Sequence, residues 1–152
     1  MSRLYLSIGS NLGDREQHIL KSIRLIEKKT GKIVRQSSLY ETAPWGFNSS
    51  HLFLNNVVAV ETDLPPFELL KITQQIEKEV GRKSKTHQAY TDRVIDIDIV
   101  MYDDLILQTE KLTIPHPLFH LRRFVLLPLS EIAPDLVHPI LGKTMEELVK
   151  SI

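Results

Sequence analysis

The chain reads as an α+β protein. Three observations predict it: short segments with period-two apolar alternation, two longer stretches with helical periodicity, and an order that runs β-α-β-β-α-β before smaller elements follow. That order is the ferredoxin-like split arrangement, an antiparallel sheet with both main helices on one face, here with extra short strands and helices appended. At 152 residues, 42% of them hydrophobic, the chain is long enough for a single globular domain with its own core, expected over residues 1–152.

Each element has a local cause. Leu4, Leu6 and Ile8 alternate and predict a strand over 3–9, which Gly9-Ser10-Asn11-Leu12-Gly13-Asp14 closes with turn chemistry. From Asp14 the pattern turns helical, with Ile19, Ile23 and Ile26 on one stripe and Leu20 and Leu25 widening it, until Thr30-Gly31 ends it. Residues 33–42, rich in β-branched and small side chains, read as one strand, and 43–50 as a loop holding Trp45 and Phe47. A third long strand is expected over 53–62. Pro65-Pro66 then opens a helix that keeps Leu69, Leu70, Ile72 and Ile76 apolar as far as Val80, and Gly81 caps it. A basic loop over 82–87 leads into a strand over 93–102. Short strands are expected at 105–107 and 112–114 before Pro115-His116-Pro117 breaks the chain, and short helices complete it, one of them from Thr144.

Composition narrows the function. Nineteen basic residues balance nineteen acidic ones, so the broad positive surface needed for sequence-independent nucleic-acid binding is absent, and the local basic loop suits a small anionic ligand instead. There is no cysteine, hence neither a disulfide framework nor thiolate chemistry. Met1 to Leu6 enters a strand pattern directly, and no apolar run reaches transmembrane length, so a cytoplasmic protein without a membrane partner is expected.

The strand over 93–102 carries the chemistry. Asp96 and Asp98 stand two residues apart in an apolar run, so they project from one face while Ile95, Ile97 and Ile99 fill the other. Two neighbouring carboxylates repel unless a cation sits between them, and Mg²⁺ is usually held by one or two carboxylates, with water and substrate phosphates completing its octahedron. An Asp-x-Asp triplet by itself is more often a solvated strand face. Its flanks change that balance, because Arg93 and the run Arg82-Lys83-Ser84-Lys85-Thr86-His87 offer cations to anionic oxygens. A nucleoside triphosphate bound with Mg²⁺ is the ligand these groups suggest.

From end to end the chain resembles the 6-hydroxymethyl-7,8-dihydropterin pyrophosphokinases. The landmarks are Leu6-Ser7-Ile8-Gly9-Ser10-Asn11-Leu12-Gly13, Tyr40-Glu41-Thr42-Ala43-Pro44, Leu54-Asn55, Ile76-Glu77, Gly81-Arg82, Arg93-Val94-Ile95-Asp96-Ile97-Asp98-Ile99, Leu112-Thr113-Ile114-Pro115-His116-Pro117 and Arg122-Arg123-Phe124. The resemblance implies transfer of the terminal pyrophosphoryl group of ATP to the pterin hydroxymethyl oxygen in folate biosynthesis. It implies two Mg²⁺ held by Asp96 and Asp98, with Arg82 and Arg93 acting with these carboxylates in catalysis. It assigns ATP contacts to Glu77, Arg82, Lys85, Arg93, Lys111, Thr113, His116 and Arg122. The pterin site it implies comprises Thr42, Ala43, Pro44, Trp45, Phe53, Asn55, Asp96 and Phe124, with the two phenylalanines on the ring faces and the Asn55 amide at the polar edge. ATP and the pterin are then the partners, and a monomer is expected.

The chain departs from the family pattern after Gly81-Arg82, where Ser84 replaces a frequent arginine and His87-Gln88-Ala89 and Tyr90-Thr91-Asp92 precede Arg93. Two rival classes remain at this level. A palm-like nucleotidyltransferase also pairs aspartates on an antiparallel sheet, though it calls for a basic template groove. A non-catalytic ferredoxin-like ligand sensor leaves the paired carboxylates and basic loop without a shared purpose. Among the assigned residues, Glu77 lies beside Glu79 on a helix, a pattern that by itself suggests a solvent-facing position.

Overall fold

Alternation along the first strand divides the molecule into two halves. The computed structural model describes residues 1–81 and 92–152. In β1 (Ser2–Ser10), Leu4, Leu6 and Ile8 are fully buried on one side, while Tyr5, Ser7 and Gly9 occupy the other. β1 pairs antiparallel with β4 (Phe53–Thr62) along one edge and with β5 (Asp96–Tyr102) along the other. β2 (Lys32–Gln36) and β3 (Tyr40–Thr42) both pair with β4, so the main sheet runs β2-β4-β1-β5, with β3 beside β4 beyond the end of β2.

The Leu4 side of the sheet is the larger core. α1 (Arg15–Lys29) and α2 (Pro66–Val80) lay Ile19, Ile26, Leu69 and Ile76 onto Leu4, Leu6, Ile8, Val58, Val60, Ile97 and Ile99. Each fully buried Leu or Ile contributes roughly 2 kcal/mol, which is why this face dominates the stability of the fold. Asp14 caps α1 by accepting from the Gln17 N–H at 3.2 Å, and Lys28 and Lys29 stand at the end where the helix dipole favours cations. This is the α+β, ferredoxin-like arrangement expected from the element order.

The opposite face has a cover of its own. The short 3-10 turn Phe119–Leu121, α3 (Arg123–Ile132) and α4 (Met145–Lys150) pack Phe119, Val125, Leu126, Leu129, Met145 and Leu148 against Tyr5, Val57, Ala59, Val100 and Met101. The sequence points only to short helices here. α3 reaches ten residues although Pro128 lies inside it, because burial of its apolar stripe compensates for the missing backbone donor.

Two segments of the main sheet differ from expectation by more than a residue, and the strand expected over 105–107 forms instead at Leu107–Gln108. The segment 33–42 is two strands rather than one. Ser37 causes the break: its N–H donates to Val57 O and its own hydroxyl accepts from Val57 N, both at 2.9 Å, so a side chain stands in for the backbone carbonyl of the ladder. The acidic strand begins at Asp96 rather than at 93, since Arg93 is diverted into hydrogen bonds with Asn11. Further on, β6 (Leu107–Gln108) and β7 (Thr113–Ile114) form a small separate hairpin, each only two residues long.

Between α1 and β2 the chain turns at Gly31, where a Cβ would run into the Glu61 carbonyl on the neighbouring strand. Gly31→Ala is therefore expected to destabilise the fold by about 3 kcal/mol, read as a lowered midpoint in urea unfolding with an unchanged m-value.

Candidate active site

The face covered by α3 is not covered to its end. Beyond Tyr5, β1 presents only Ser7 and Gly9 on this side, and a cavity opens over them. Register fixes what surrounds it. Gly9 lies between Asn55 on β4 and Asp96 on β5, and Ser7 lies between Val57 and Asp98. An amide and two carboxylates therefore flank a strip of backbone. A side chain at position 9 would close it, since a Cβ there would stand 2.8 Å from Asn55 Oδ1.

Asn55 is buried, and its Nδ2 donates to Thr42 Oγ1 at 2.7 Å across the β3–β4 ladder. That bond fixes which end of the amide faces Gly9. The chain after β3 brings Ala43, Trp45 and Phe47 to the cavity wall, and Phe47 meets Phe53 edge-on with ring centroids 6.1 Å apart. Phe124, in the first turn of α3, forms the facing wall with Arg122 just before it. The Arg122 guanidinium lies 4.5 Å from the Trp45 ring centroid and 5.6 Å from that of Phe124, and the residue is only 4% exposed. A cation held over two rings keeps both of them oriented. The result is a slot with aromatic sides, an amide and a hydroxyl at one edge, and carboxylates at the other.

The acidic edge is held from three directions. Arg93 Nη1 pairs with Asp96 Oδ2 at 3.0 Å with both side chains largely buried, which offsets part of the charge repulsion on that face. The Arg93 backbone is in turn gripped by Asn11: Arg93 N donates to Asn11 Oδ1 at 2.7 Å, and Asn11 N donates to Arg93 O at 3.1 Å. The Asn11 Nδ2 also donates to Asp92 Oδ1 at 2.7 Å and to His51 O at 3.1 Å, tying the 49–51 loop to the approach to β5. Hydrogen bonds from Ser49 and Asn11, with His51 close by, hold the Asp92 carboxyl below the usual carboxylate range. The third hold comes from beneath. Glu77 on α2 is 3% exposed and its Oε2 accepts from Ile97 N at 2.8 Å, on the residue between the two aspartates.

The structure gathers Thr42, Ala43, Trp45, Phe53, Asn55, Arg93, Asp96, Asp98, Arg122 and Phe124 around this one cavity, while Pro44 sits between two lining residues without lining it. Glu77 lies under the strand among the core helices, where the sequence pattern suggests a solvent-facing residue; its carboxylate replaces a ladder acceptor, which is why it is inside. Lys111, Thr113 and His116 fall outside the cavity lining. Of these, His116 follows the cis Ile114-Pro115 bond, donates its N–H to Val100 O at 2.9 Å, and accepts the Leu118 N–H on Nδ1 at 3.2 Å. Arg82, Lys85 and the rest of the basic run lie outside the described residues.

Four residues of this site carried no site assignment from the sequence: Ser7, Gly9, Asn11 and Phe47. A signal for Gly9 was present, since a glycine inside a strand pattern marks a close approach. Asn11 resembles any turn asparagine until its two partner segments are seen together.

Asp96 and Asp98 also suit a divalent cation. Among the described residues, no group of three or more His, Asp or Glu side chains is placed to hold a metal. Two carboxylates on one strand face form an incomplete set, of the kind Mg²⁺ completes with phosphate oxygens and water.

Comparison with known proteins bears on this arrangement. The family model of 7,8-dihydro-6-hydroxymethylpterin-pyrophosphokinase (HPPK) matches residues 5–134. A 2-amino-4-hydroxy-6-hydroxymethyldihydropteridine pyrophosphokinase of Porphyromonas gingivalis is 45% identical over 141 residues, covering 91% of this chain and 95% of its own length. The protein of the same name from Aquifex aeolicus is 43% identical over 147 residues, covering 97% and 90%. Among solved structures, Plasmodium falciparum HPPK-DHPS with pteroate superposes with a TM-score of 0.81 at 18% identity, which bears on the fold alone; it covers 99% of this chain, and the chain spans only 44% of that longer one. The family model and the near full-length relatives agree, and the chain belongs to the 7,8-dihydro-6-hydroxymethylpterin-pyrophosphokinase family, enzymes of the pyrophosphokinase type.

Proposed function

We propose that the protein transfers the pyrophosphoryl group of ATP to the hydroxymethyl oxygen of 6-hydroxymethyl-7,8-dihydropterin, with Mg²⁺, leaving AMP and the pterin diphosphate. One observation carries the reading: the aromatic slot and the paired carboxylates are walls of the same cavity, joined across Gly9. A flat bicyclic ring seated in the slot has its acceptor arm directed toward the acidic edge, where a metal-bound triphosphate belongs.

The residues divide the work. Phe53, met edge-on by Phe47, and Phe124, beside the Arg122 guanidinium, hold the ring by its faces, and the pterin's donor and acceptor edge matches the amide of Asn55, oriented by Thr42. Asp96 and Asp98 would hold Mg²⁺ on the strand that Glu77 pins. When bound, Mg²⁺ neutralises phosphate charge and aligns the triphosphate for in-line attack. As the hydroxymethyl oxygen bonds to the β-phosphorus, the bond from that phosphorus to the α,β-bridging oxygen breaks. AMP leaves with the electron pair, and the hydroxyl proton is released. Arg93, positioned by Asn11 and Asp96, faces the charge that builds during this step. The assignments of Arg82, Lys85, Lys111, Thr113 and His116 to ATP rest on family likeness. So does that of Arg122, although its place beside Trp45 and Phe124 favours a role at the ring.

This reading makes the chain a single domain acting on two small molecules, without nucleic acid. Among its described residues, no helix is long and apolar enough to cross a membrane.

Incubation with ATP, Mg²⁺ and the pterin is expected to yield AMP, resolved from ADP by ion-exchange chromatography; ADP as the nucleotide product overturns the mechanism. Asp96→Ala and Asp98→Ala should each lower kcat by about a thousandfold, and EDTA should abolish turnover until Mg²⁺ is restored. Arg93→Ala should slow single-turnover chemistry roughly a hundredfold while ATP binding, measured by calorimetry, weakens far less. Gly9→Ala should raise the pterin KM with little change in the affinity for ATP, because the added methyl intrudes on Asn55 rather than on the acidic edge.

A further inference from the structure

β3 is three residues long, and its ladder pairs Tyr40 with Asn55, Glu41 with Leu54 and Thr42 with Phe53. So short a strand holds poorly by its ladder alone. Yet it delivers Thr42 to the Asn55 amide and starts the loop that bears Trp45. A second attachment lies at its base. Glu131, near the C-terminal end of α3, accepts the Tyr40 hydroxyl on Oε1 at 2.6 Å, the Ser38 hydroxyl on Oε2 at 3.0 Å, and the Ser38 N–H on both oxygens at 3.1 Å. An exposed carboxylate thus takes every one of these bonds from a single short segment.

The same helix carries the facing wall. Phe124 and Glu131 are seven residues apart, close to two full turns, so they lie along one side of α3. One end of that side meets the slot and the other grips the strand that forms the opposite wall. We infer that Glu131, through Tyr40 and Ser38, is a positioning residue that sets the spacing between the Phe124 wall and the Thr42 to Trp45 wall, and hence the fit of the flat heterocycle. The inference rests on the pterin assignment of the slot. The protonation states agree with the geometry: burial first, and then Glu131, pushes the Tyr40 hydroxyl up to about 12, and Glu131 is held below the usual carboxylate range chiefly by Tyr40. At neutral pH the pair is a hydroxyl donor and a carboxylate, the stronger kind of hydrogen bond.

Trp45 is the only tryptophan of the chain, so its fluorescence reports on the slot. The wild type, Glu131→Gln, Tyr40→Phe and the double variant are titrated with 6-hydroxymethyl-7,8-dihydropterin and assayed for AMP formation. Glu131→Gln should weaken pterin affinity roughly tenfold, and Tyr40→Phe by less. The double variant should be little worse than Glu131→Gln alone, because both changes cut one connection. The KM for ATP, and kcat at saturating pterin, should stay within about twofold of the wild type. Variants that bind the pterin as tightly as a binding-competent wild type overturn the inference while leaving the proposed function standing. Parallel losses for both substrates also overturn it, because a general weakening of the fold does not separate them. A wild type that fails to bind the pterin removes the proposed function and the inference with it. If Glu131→Gln does not fold, Tyr40→Phe decides alone, and unchanged pterin affinity there overturns the inference.

Discussion

The active face depends on the backbone of β5 between Asp96 and Asp98. β5 is the outer strand of the main sheet, so it pairs with β1 on one edge only, and its outward N–H groups need acceptors from elsewhere. Glu77 supplies one at Ile97, from the buried face of α2. Placing a carboxylate in a core is costly unless it is hydrogen-bonded. Here the cost is borne where it does most, since the peptide being held is the one between two acidic side chains whose spacing must not drift. The strand is held beside that peptide as well: Asp96 takes the Arg93 guanidinium, and Ile97 and Ile99 anchor the opposite face of the strand in the main core.

A second constraint follows from how the sheet is covered. One face is fully clothed by α1 and α2. The other is clothed by α3, α4 and the 3-10 turn over Tyr5, Ala59 and Met101 but left open over Ser7 and Gly9. The opening is made by residue size rather than by a missing element: where β1 changes from Tyr5 to Ser7 and Gly9, the layer above has no large side chain to rest on, and the space becomes a slot. The start of α3 sits at its edge, which is why Arg122 and Phe124 belong to the site while Val125, Leu126 and Leu129 belong to the core. The aromatic slot and the strand that bears Asp96 and Asp98 then share one floor across Gly9.

Two relatives more than two-fifths identical over nearly the whole chain share its family, whereas a solved structure at 18% identity retains the architecture with a TM-score of 0.81. Fold persists where sequence has largely changed, because the alternation of Leu4, Leu6 and Ile8 and the two amphipathic helices can be satisfied by many apolar side chains. The slot is more tightly defined: a Cβ at Gly9 would stand 2.8 Å from Asn55 Oδ1, and Thr42 accepts from the Asn55 amide.

The sequence alone determined what depends on periodicity and residue type. Strands with period two, helices with period 3.6, their β-α-β-β-α-β order and the paired aspartates on one strand face are local patterns, and local patterns are visible in one dimension. Ser37 shows where that ends: nothing in the run 33–42 says that a hydroxyl will take the place of a carbonyl opposite Val57, because its partner is twenty residues away. Glu77 shows it again, since a helical glutamate looks solvated until β5 arrives beside it. Only the tertiary structure decided that Gly9 would lie between Asn55 and Asp96, that Asn11 would join two loops, and that Glu131 would reach the base of β3. The physical reason is common to all of these: each is a hydrogen bond or close approach between segments far apart in the chain, and such pairings are chosen by packing, not by the propensity of any residue that makes them.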